Sequence, residues 1–410
     1  MDLTPGLRRV PAADLADVGE DEALAARIRA EIEATGPMTF ARFMELALYD
    51  PDGGYYRSDE SRPGRAGDFL TAPESHPIFG HAVANQLTEV WVRLDRPDPF
   101  VVHEHGAGGG ALAEAILRGL ERTRSGLIDA IRYVPVEIEP RRHDAFEERL
   151  ALAGFADRIG KAQELGTFSG AVLANEVLDA LPVHRIGIRD GRLQERFVGV
   201  DAGGAFADVW ADPSTPAIGR RLADEGTALV DGQSAEVCLA LETWVASAVA
   251  PLGRGLTLFL DYGALASDLY DPGRRPNGTI RAFARHRLSD DVYAHVGRQD
   301  LTAHVDLTAV GAAARSAGLT EEGRTSQAAF LLGNGTEERL REIQSDPATT
   351  LEEYTELRSA LVRLLDPAGM GGFNVLGFGR DWPDGPPLAG FAYRVPGSLS
   401  APRGHGHSDR

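Results

Sequence analysis

One glycine-rich loop constrains the fold of this chain more than any other feature of its sequence. The loop, EHGAGGG at residues 104–110, follows an apolar run at 100–102 and precedes an apolar-periodic segment at 111–120. Only glycine lets a backbone turn this sharply and approach a ligand this closely. Glycine at every second position between a strand and a helix is typical of the nucleotide-binding turn of a doubly wound fold. The sequence therefore predicts an α/β core.

A strand–helix alternation begins at this loop. Four apolar segments are predicted strands, at 100–104, 132–137, 171–174 and 257–261. Helical patterns separate the first of these, which implies a parallel sheet with crossover helices. Segments 183–189 and 192–200 flank Asp190-Gly191 and predict a hairpin inserted on the core, and 327–332 and 373–379 are predicted as further strands.

The remaining segments divide the chain into regions. Amphipathic helices are predicted at 22–34, at 39–49 with Thr39 as the cap, and at 77–94. The predicted regions are a flexible N-terminus (1–20), a helical N-terminal segment with an active-site loop (21–95), the first part of the core (96–182), a hairpin and helical insertion (183–250), a core strand (251–263), a second insertion (264–322), the C-terminal part of the core (323–396) and a disordered tail (397–410).

Composition excludes several classes of function. The chain has 42 basic and 61 acidic residues, a net charge of −19, which disfavours nucleic acid as a partner and favours cationic substrates. Its single cysteine, Cys238, excludes an internal disulfide and lies in an apolar pattern at 235–250 that predicts a helix. Residues 1–20 contain no apolar run and no stretch is long enough to span a bilayer, so we expect a cytoplasmic protein without a membrane partner.

Two acids identify what the loop would bind. Glu137, at the end of the second predicted strand, is placed to accept hydrogen bonds from two ribose hydroxyls, and Glu139 is a weaker candidate. A dinucleotide is one alternative ligand, but its acid lies about 20 residues beyond the glycines, and Glu137 is farther away. Glu104, two residues before Gly106, is typical of sites that hold a ligand's cationic amino group, which favours S-adenosylmethionine. A turn that binds nothing is the structural alternative.

Polar residues that follow the third predicted strand are candidates for binding the acceptor of the methyl group. Asn175, Glu176 and Asp179 follow the strand at 171–174, where residues of an open parallel sheet face the binding crevice. Carboxylates there suit a guanidinium or amine acceptor and can take its proton. The alternative is helix N-capping, which is equally favoured for Asp179. The loop at 67–74, taken alone, is better explained as a helix cap with packed aromatic residues.

Several ordered motifs between residues 36 and 380 resemble the MidA family of class I methyltransferases. The matching stretches are FM at 43–44, DPDGGYY at 50–56, GDF at 67–69, PE at 73–74, FG at 79–80, the glycine loop, VE at 136–137, ANE at 174–176, DALP at 179–182, DYG at 261–263, GTIR at 278–281, DLTAHVD at 300–306, DP at 366–367 and MG at 370–371. The family loop usually reads ELGPGRG, so His105, Ala107 and Gly109 are departures that bear on the acceptor more than on the cofactor.

The resemblance implies a Rossmann-like class I methyltransferase core with a seven-stranded, mostly parallel sheet, a helical N-terminal segment and an inserted α+β subdomain. It implies S-adenosylmethionine as the cofactor. Because a member of the family methylates a protein arginine, it suggests a basic, arginine-containing protein or peptide as the acceptor. A homodimer is left open.

The resemblance also completes the site hypothesis. The expected catalytic residues are Asn175, Glu176, Asp68 and Glu74. The expected cofactor-binding residues are Glu104, Gly106, Ala107, Gly108, Gly110, Glu137, Ile138, Asn175, Asp68, Phe69, Thr71 and Pro73. No metal is expected, because His103, His105, His286 and His304 lack ligand spacing with a third partner.

Three other functions are weighed against this one. A methyltransferase acting on a small molecule or a peptide natural product would use the same scaffold with a different acceptor pocket. An assembly or binding protein could keep the fold without turnover. A nicotinamide dehydrogenase would be distinguished by thermal stabilisation with NAD rather than with S-adenosylmethionine.

Overall fold

A computed structural model describes residues 8–9, 18–58, 71–161, 166–285 and 287–393 of the chain. The strands found within these ranges are β1 (Arg8–Arg9), β2 (Met38–Thr39), β3 (Phe100–His105), β4 (Ile131–Val136), β5 (Phe168–Asn175), β6 (His184–Arg189), β7 (Arg192–Val200), β8 (Phe206–Ala211), β9 (Ser234–Val237), β10 (Leu252–Asp261), β11 (Gly263–Ala264), β12 (Arg281–Ala284), β13 (Arg287–Ser289), β14 (Asp300–Thr302), β15 (Val305–Asp306), β16 (Thr320–Ser326) and β17 (Asn374–Arg380).

The α-helices found within the same ranges are α1 (Glu22–Thr35), α2 (Phe40–Tyr49), α3 (Ala72–Ser75), α4 (Ile78–Arg93), α5 (Ala111–Thr123), α6 (Leu127–Ala130), α7 (Pro140–Leu152), α8 (Pro216–Asp224), α9 (Leu241–Val249), α10 (Ala266–Leu269), α11 (Leu307–Ser316), α12 (Gln327–Gly333), α13 (Thr336–Ser345), α14 (Leu351–Leu365) and α15 (Ala389–Ala392). Short 3-10 turns occur at Tyr55–Arg57, Ala156–Arg158, Leu178–Ala180 and Met370–Gly372.

A six-stranded sheet in the described residues forms the centre of the molecule, in the order β16-β17-β10-β5-β3-β4. Strands β10, β5, β3 and β4 run parallel, whereas β17 is antiparallel to both β10 and β16. The mixed α/β architecture is as expected, and all four core strands predicted around the loop are present. The sheet has one strand fewer than the seven implied by the resemblance. Beside β4, Ile159 makes a single parallel bridge to Tyr133.

Helices cover both faces of this sheet. Helices α4, α5, α12 and α14 pack with Leu258 in the largest apolar cluster, while α9 and α11 pack with Phe259 on the opposite face. Because successive strand residues point to opposite faces, a strand buried on both sides reads as a continuous apolar run. This explains why the core strands are recognisable in the sequence. Because helices cover both faces of the sheet, the carboxyl ends of the parallel strands remain as its open edge.

A second sheet, β2-β7-β6-β9 with β8 on the outer edge of β7, packs against the N-terminal helices. The predicted hairpin is confirmed, since β6 and β7 pair in antiparallel register up to Arg189 and Arg192. Helices α1 and α2 are confirmed as well, and the Thr39 hydroxyl caps α2 by accepting a hydrogen bond from the Arg42 amide at 3.2 Å. The N-terminal segment and the hairpin insertion therefore share one apolar core.

Two sequence predictions of secondary structure are wrong. The segment at 327–332 is helix α12 rather than a strand, and the Ser326 hydroxyl caps it by accepting a hydrogen bond from the Ala329 amide at 3.2 Å. The segment at 235–250 is not one helix. Residues up to Val237 form β9 against β6, and Cys238 lies partly buried between β9 and α9. An apolar run that is buried all round carries no period by which strand and helix can be distinguished.

Strand β16 begins inside the region predicted as the second insertion, and it forms the edge of the central sheet beside β17. None of the helices in the described ranges combines the length and apolar content that crossing a bilayer requires.

Candidate functional site

A cavity of about 620 Å³ lies at the carboxyl ends of β3, β4 and β5. It brings together most of the residues predicted for the site, namely Thr71, Pro73, Glu74, Glu104, Gly106, Ala107, Gly108, Glu137, Ile138, Asn175 and Glu176. Gly110 does not line it, and Asp68 and Phe69 lie outside the described residues. The crevice expected at this edge of a parallel sheet is thus present.

The backbone of the glycine loop explains its composition. Gly106, Gly108 and Gly110 have φ angles of 67°, 54° and 80°, which residues other than glycine rarely adopt. A Cβ at Gly106 would stand 2.7 Å from a methyl group of Val177, and one at Gly110 would stand 2.9 Å from the Phe146 ring. Gly106 and Gly108 therefore shape the cavity, whereas Gly110 lets α5 pack on α7.

The two acids after β4 have different surroundings. The Glu137 carboxylate lines the cavity and accepts a hydrogen bond from the Gly108 amide at 2.5 Å. Glu139 is the N-cap of α7 and accepts a 2.8 Å hydrogen bond from Nε of Arg141, which lowers the pKa of the Glu139 carboxyl. Ile138 is 44% exposed beside them and lines the cavity. The geometry thus favours Glu137 over Glu139 for a ligand.

Glu104 is a buried carboxyl at the base of the cavity. The Tyr133 hydroxyl donates a 2.6 Å hydrogen bond to its Oε2. Burial raises the pKa of Glu104 to about 8, although the Tyr133 hydrogen bond acts in the opposite direction. A cation bound beside Glu104 would stabilise the ionised carboxylate.

His103 and His105 share the face of β3 opposite Glu104, with ring centroids 6.2 Å apart. The His105 ring also contacts the Trp244 ring at 5.4 Å, and burial lowers the pKa of His105 to about 4. His105 is therefore neutral at physiological pH. In the part of the chain that the structure describes, no cluster of three histidine, cysteine or acidic side chains has a geometry suited to a metal ion.

Two carboxyls form the acidic side of the cavity. Glu176 accepts hydrogen bonds at 3.2 Å from the Ala72 amide and from Nδ2 of Asn175, and burial raises its pKa to about 8. Burial raises the pKa of Glu74 to about 7, and its Oε2 is buried without a hydrogen-bond partner among the described residues. An unpaired buried oxygen is unfavourable, so Glu74 retains capacity for a donor from a ligand.

Asp179 matches neither of the two roles that the sequence suggests for it, a carboxyl in the binding crevice or a helix N-cap. It lies inside the 3-10 turn Leu178–Ala180 rather than at a helix N-cap, and it does not line the cavity. Its Oδ2 accepts a hydrogen bond from the Tyr262 hydroxyl, and burial raises its pKa to about 6.

Sequence reasoning missed several aromatic and charged residues that line the cavity, namely Tyr49, Tyr56, Arg142 and Trp244. Tyr49 and Tyr56 stack with centroids 5.5 Å apart, and their hydroxyls donate to the Ala180 carbonyl and to Asp300, each at 2.8 Å. The motif at 50–56 offered a signal for Tyr56. Trp244 comes from a helix far along the chain, and only the fold brings it to the cavity.

The parallel sheet, the glycine loop and the carboxylate after β4 define an α/β protein that binds a nucleotide-like cofactor at the end of its sheet. Residues 82–325 match the sequence model of a family of S-adenosyl-L-methionine-dependent methyltransferases, and the chain belongs to this family. The resemblance to MidA-type methyltransferases is confirmed. The protein is a methyltransferase, and S-adenosylmethionine is its cofactor.

Relatives of known name agree with this assignment. The mitochondrial protein arginine methyltransferase NDUFAF7 homolog of Drosophila melanogaster is 30% identical, over 90% of this chain and 87% of the relative. The mitochondrial protein arginine methyltransferase NDUFAF7 of Mus musculus is 29% identical, over 83% of this chain and 80% of the relative. A crystal structure from Burkholderia thailandensis with bound S-adenosyl-homocysteine is 34% identical with a TM-score of 0.81, and the match covers 94% of this chain and 98% of that one.

The names of these relatives contradict one prediction. The expectation of a cytoplasmic protein is wrong, because the curated relatives are named as mitochondrial proteins. That expectation depended on the absence of an apolar leader. Mitochondrial transit peptides are amphipathic and arginine-rich rather than apolar, so such an absence does not bear on this compartment.

Proposed function

We propose that this enzyme transfers a methyl group from S-adenosylmethionine to a guanidinium nitrogen of an arginine in a protein or peptide. The observation that carries the proposal is the pair of half-buried carboxyl side chains that line the cavity together, Glu74 and Glu176, of which Glu74 has a buried oxygen without a hydrogen-bond partner in the described residues. A guanidinium presents several N–H donors in a plane and a positive charge. It would satisfy the Glu74 oxygen and favour ionisation of both carboxyls.

The residues on the opposite side suit the cofactor. We assign Glu137 to the ribose hydroxyls, and the loop at Gly106, Ala107 and Gly108 to close backbone contact with the cofactor. Glu104, whose carboxyl is buried, suits the cationic amino group of the methionine portion. We also assign Thr71 and Pro73, which line the cavity, to the cofactor, and Asn175, which lines it as well, donates a hydrogen bond from Nδ2 to Glu176.

The chemistry required of the protein is positioning and proton acceptance. When bound, S-adenosylmethionine supplies a methyl group on a positively charged sulfur. Glu74 and Glu176 would orient the guanidinium by charge-assisted hydrogen bonds and fix the angle of the attacking nitrogen. A carboxylate beside that nitrogen takes the proton that N-methylation releases, and the raised pKa values of both carboxyls suit this role.

Three further observations support the proposal. The curated relatives are named protein arginine methyltransferases. The net charge of −19 supports a basic acceptor. The bridge between Ile159 and Tyr133 lies where a seventh strand would extend the sheet beyond β4, which supports a class I methyltransferase core with one strand reduced to a bridge.

Tritiated S-adenosylmethionine and a cell proteome test the acceptor. The purified enzyme is incubated with both, and labelled products are separated by size and analysed by mass spectrometry for methylarginine. Label on arginine of a protein or peptide supports the proposal. Label only in small molecules or short natural peptides would favour the small-molecule or natural-product alternative, and label on another residue type of a protein would show that the acceptor is not arginine. No label, although the cofactor binds, would favour a protein that keeps the fold without turnover.

A further inference from the structure

A buried carboxyl group at the end of β10, that of Asp261, does not line the cavity. Asp261 is only 1% exposed. Its Oδ2 accepts hydrogen bonds from three consecutive amides, those of Val177, Leu178 and Asp179, at 3.2, 2.9 and 3.3 Å. Its Oδ1 accepts the Tyr262 amide at 2.8 Å. One side chain therefore accepts hydrogen bonds from the three consecutive amides that follow Glu176.

This turn needs such support because of the backbone at Glu176. Glu176 has a φ of 53°, a left-handed conformation that is unfavourable for a residue with a side chain. Residues in this region persist when their surroundings hold them, and they are concentrated at functional sites. Successive backbone amides in a turn form a concavity that accepts an anion or another strong acceptor, and here the Asp261 carboxyl occupies it.

The turn contacts both sides of the cavity. At Glu176 it accepts the Ala72 amide at 3.2 Å and so meets the start of α3, which carries Glu74. At Val177 a methyl group occupies the space beside Gly106 of the glycine loop. The Glu176 amide donates to the Leu260 carbonyl at 2.8 Å, so Glu176 is held on its amino side by β10 and on its carboxyl side by the turn that Asp261 binds. The glycine loop has hydrogen bonds independent of this turn, including that of the Gly106 amide to the Val136 carbonyl at 3.0 Å.

We propose that Asp261 is a positioning residue for methyl transfer, which holds the turn at 176–179 so that the Glu176 carboxyl faces the acceptor. The inference rests on the proposed function in one respect, the assignment of Glu176 to the acceptor side. It names a residue that touches neither ligand and acts through hydrogen bonds to the backbone.

The test compares Asp261→Ala and Asp261→Asn with a matched control, Thr257→Val. Thr257 lies on the same strand, is fully buried, and its hydroxyl has no hydrogen-bond partner in the described residues. Amide hydrogen exchange should be at least tenfold faster at 177–179 in Asp261→Ala, with strand β5 unchanged. Asp261→Asn retains one carbonyl oxygen for these amides and should lie between Asp261→Ala and the wild type. Thr257→Val should match the wild type.

The second readout separates positioning from a general structural role. The rate of tritium incorporation into the proteome should fall at least thirtyfold in Asp261→Ala, whereas the Kd for S-adenosyl-homocysteine should change less than fivefold. Asp261→Ala combined with Glu176→Gln should be no slower than Glu176→Gln alone, because the two residues act through one group. Additive losses, or equal losses in rate and cofactor affinity, would overturn the inference.

The two proposals fail in distinguishable ways. If the wild type labels no arginine, the proposed function fails, and hydrogen exchange at 177–179 still tests whether Asp261 holds the turn. If the wild type labels arginine while Asp261→Ala keeps full protection at 177–179 or a full transfer rate, the positioning role fails. Should Asp261→Ala not fold, Asp261→Asn is compared in the same assays, with a smaller loss of rate expected, and an unchanged rate would count against the inference.

Discussion

The Glu137 carboxylate accepts a 2.5 Å hydrogen bond from the Gly108 amide, and this contact joins the end of β4 to the loop that follows β3. The loop is thus held by the same side chain that we assign to the cofactor's sugar. The second Glu137 oxygen accepts only a 3.3 Å hydrogen bond, from the Ile138 amide. It faces a cavity of about 620 Å³, so a ligand hydroxyl can approach it.

We expect Glu137→Ala to weaken binding of S-adenosyl-homocysteine at least tenfold, about 1.4 kcal/mol. The substitution removes the acceptor for the sugar hydroxyls and the hydrogen bond to Gly108. Isothermal titration calorimetry measures the Kd. The matched control is Glu139→Gln, which alters the N-cap of α7 and should leave the Kd within twofold. Equal effects of the two substitutions would show that the sugar assignment is wrong.

We expect Gly106→Ala to weaken the same binding at least tenfold, whereas Gly109→Ala should have little effect. A methyl group at Gly106 would meet Val177 at 2.7 Å and must adopt a positive φ. Gly109 has no positive φ, and a methyl group there would meet nothing within 4 Å. The rise in Tm that S-adenosyl-homocysteine causes is the measure of binding for both variants. If Gly106→Ala retained the wild-type shift, close backbone approach of the cofactor at this residue would be excluded.

Cofactor affinity should rise with pH between about 6 and 8.5. Burial raises the pKa of Glu104 to about 8, so below that pH the carboxyl must lose a proton before it can pair with the cationic amino group. Tyr133→Phe removes a hydrogen bond that favours the ionised form of Glu104, so the rise in cofactor affinity should occur at higher pH. Glu104→Gln should remove most of this dependence of affinity on pH. Calorimetric Kd values across this range provide the test, and a profile that Glu104→Gln leaves unchanged would contradict the assignment.

Stability should depend on the Glu225 carboxyl, which does not line the cavity. Burial and the neighbouring Asp306 raise its pKa to about 8. The folded state therefore binds this proton more tightly than the unfolded state does, so its contribution to stability is present below about pH 4.5 and is lost as the pH rises through about 8. Glu225→Gln should show a smaller fall in Tm between pH 5.5 and 8.5 than the wild type. Glu356→Gln, at an exposed residue, is the control and should show the same fall in Tm as the wild type. An equal fall in Tm for Glu225→Gln would show that the Glu225 carboxyl does not make this contribution.

Much of the core could be predicted from the sequence because its signals are local. Strand β3, the glycines and Glu137 follow one another within a short stretch, and the fold places acids after β4 where the motif predicts them. The hairpin turn between Arg189 and Arg192 can be predicted for the same reason, because its signal, Asp190-Gly191, is local. The sequence already favours Glu137 over Glu139, and the structure adds a physical reason, since Glu139 is the N-cap of α7.

Other features depend on contacts between distant segments. Tyr49 in α2 and Trp244 in α9 both line the cavity, and no spacing in the sequence indicates this. The matched motif at 261–263 contains Asp261, but its three hydrogen bonds to the turn at 177–179 cross more than eighty positions of the chain. The segment that forms α12 reads as a strand because its apolar residues follow one another without a helical period, and five consecutive residues of it are buried in the structure.

A crystal structure of the enzyme with S-adenosyl-homocysteine and a short arginine peptide tests the central claim most directly. The account predicts the sugar against Glu137, the amino group against Glu104, and the guanidinium between Glu74 and Glu176. A product bound at another place, or a peptide arginine held away from both Glu74 and Glu176, would contradict it.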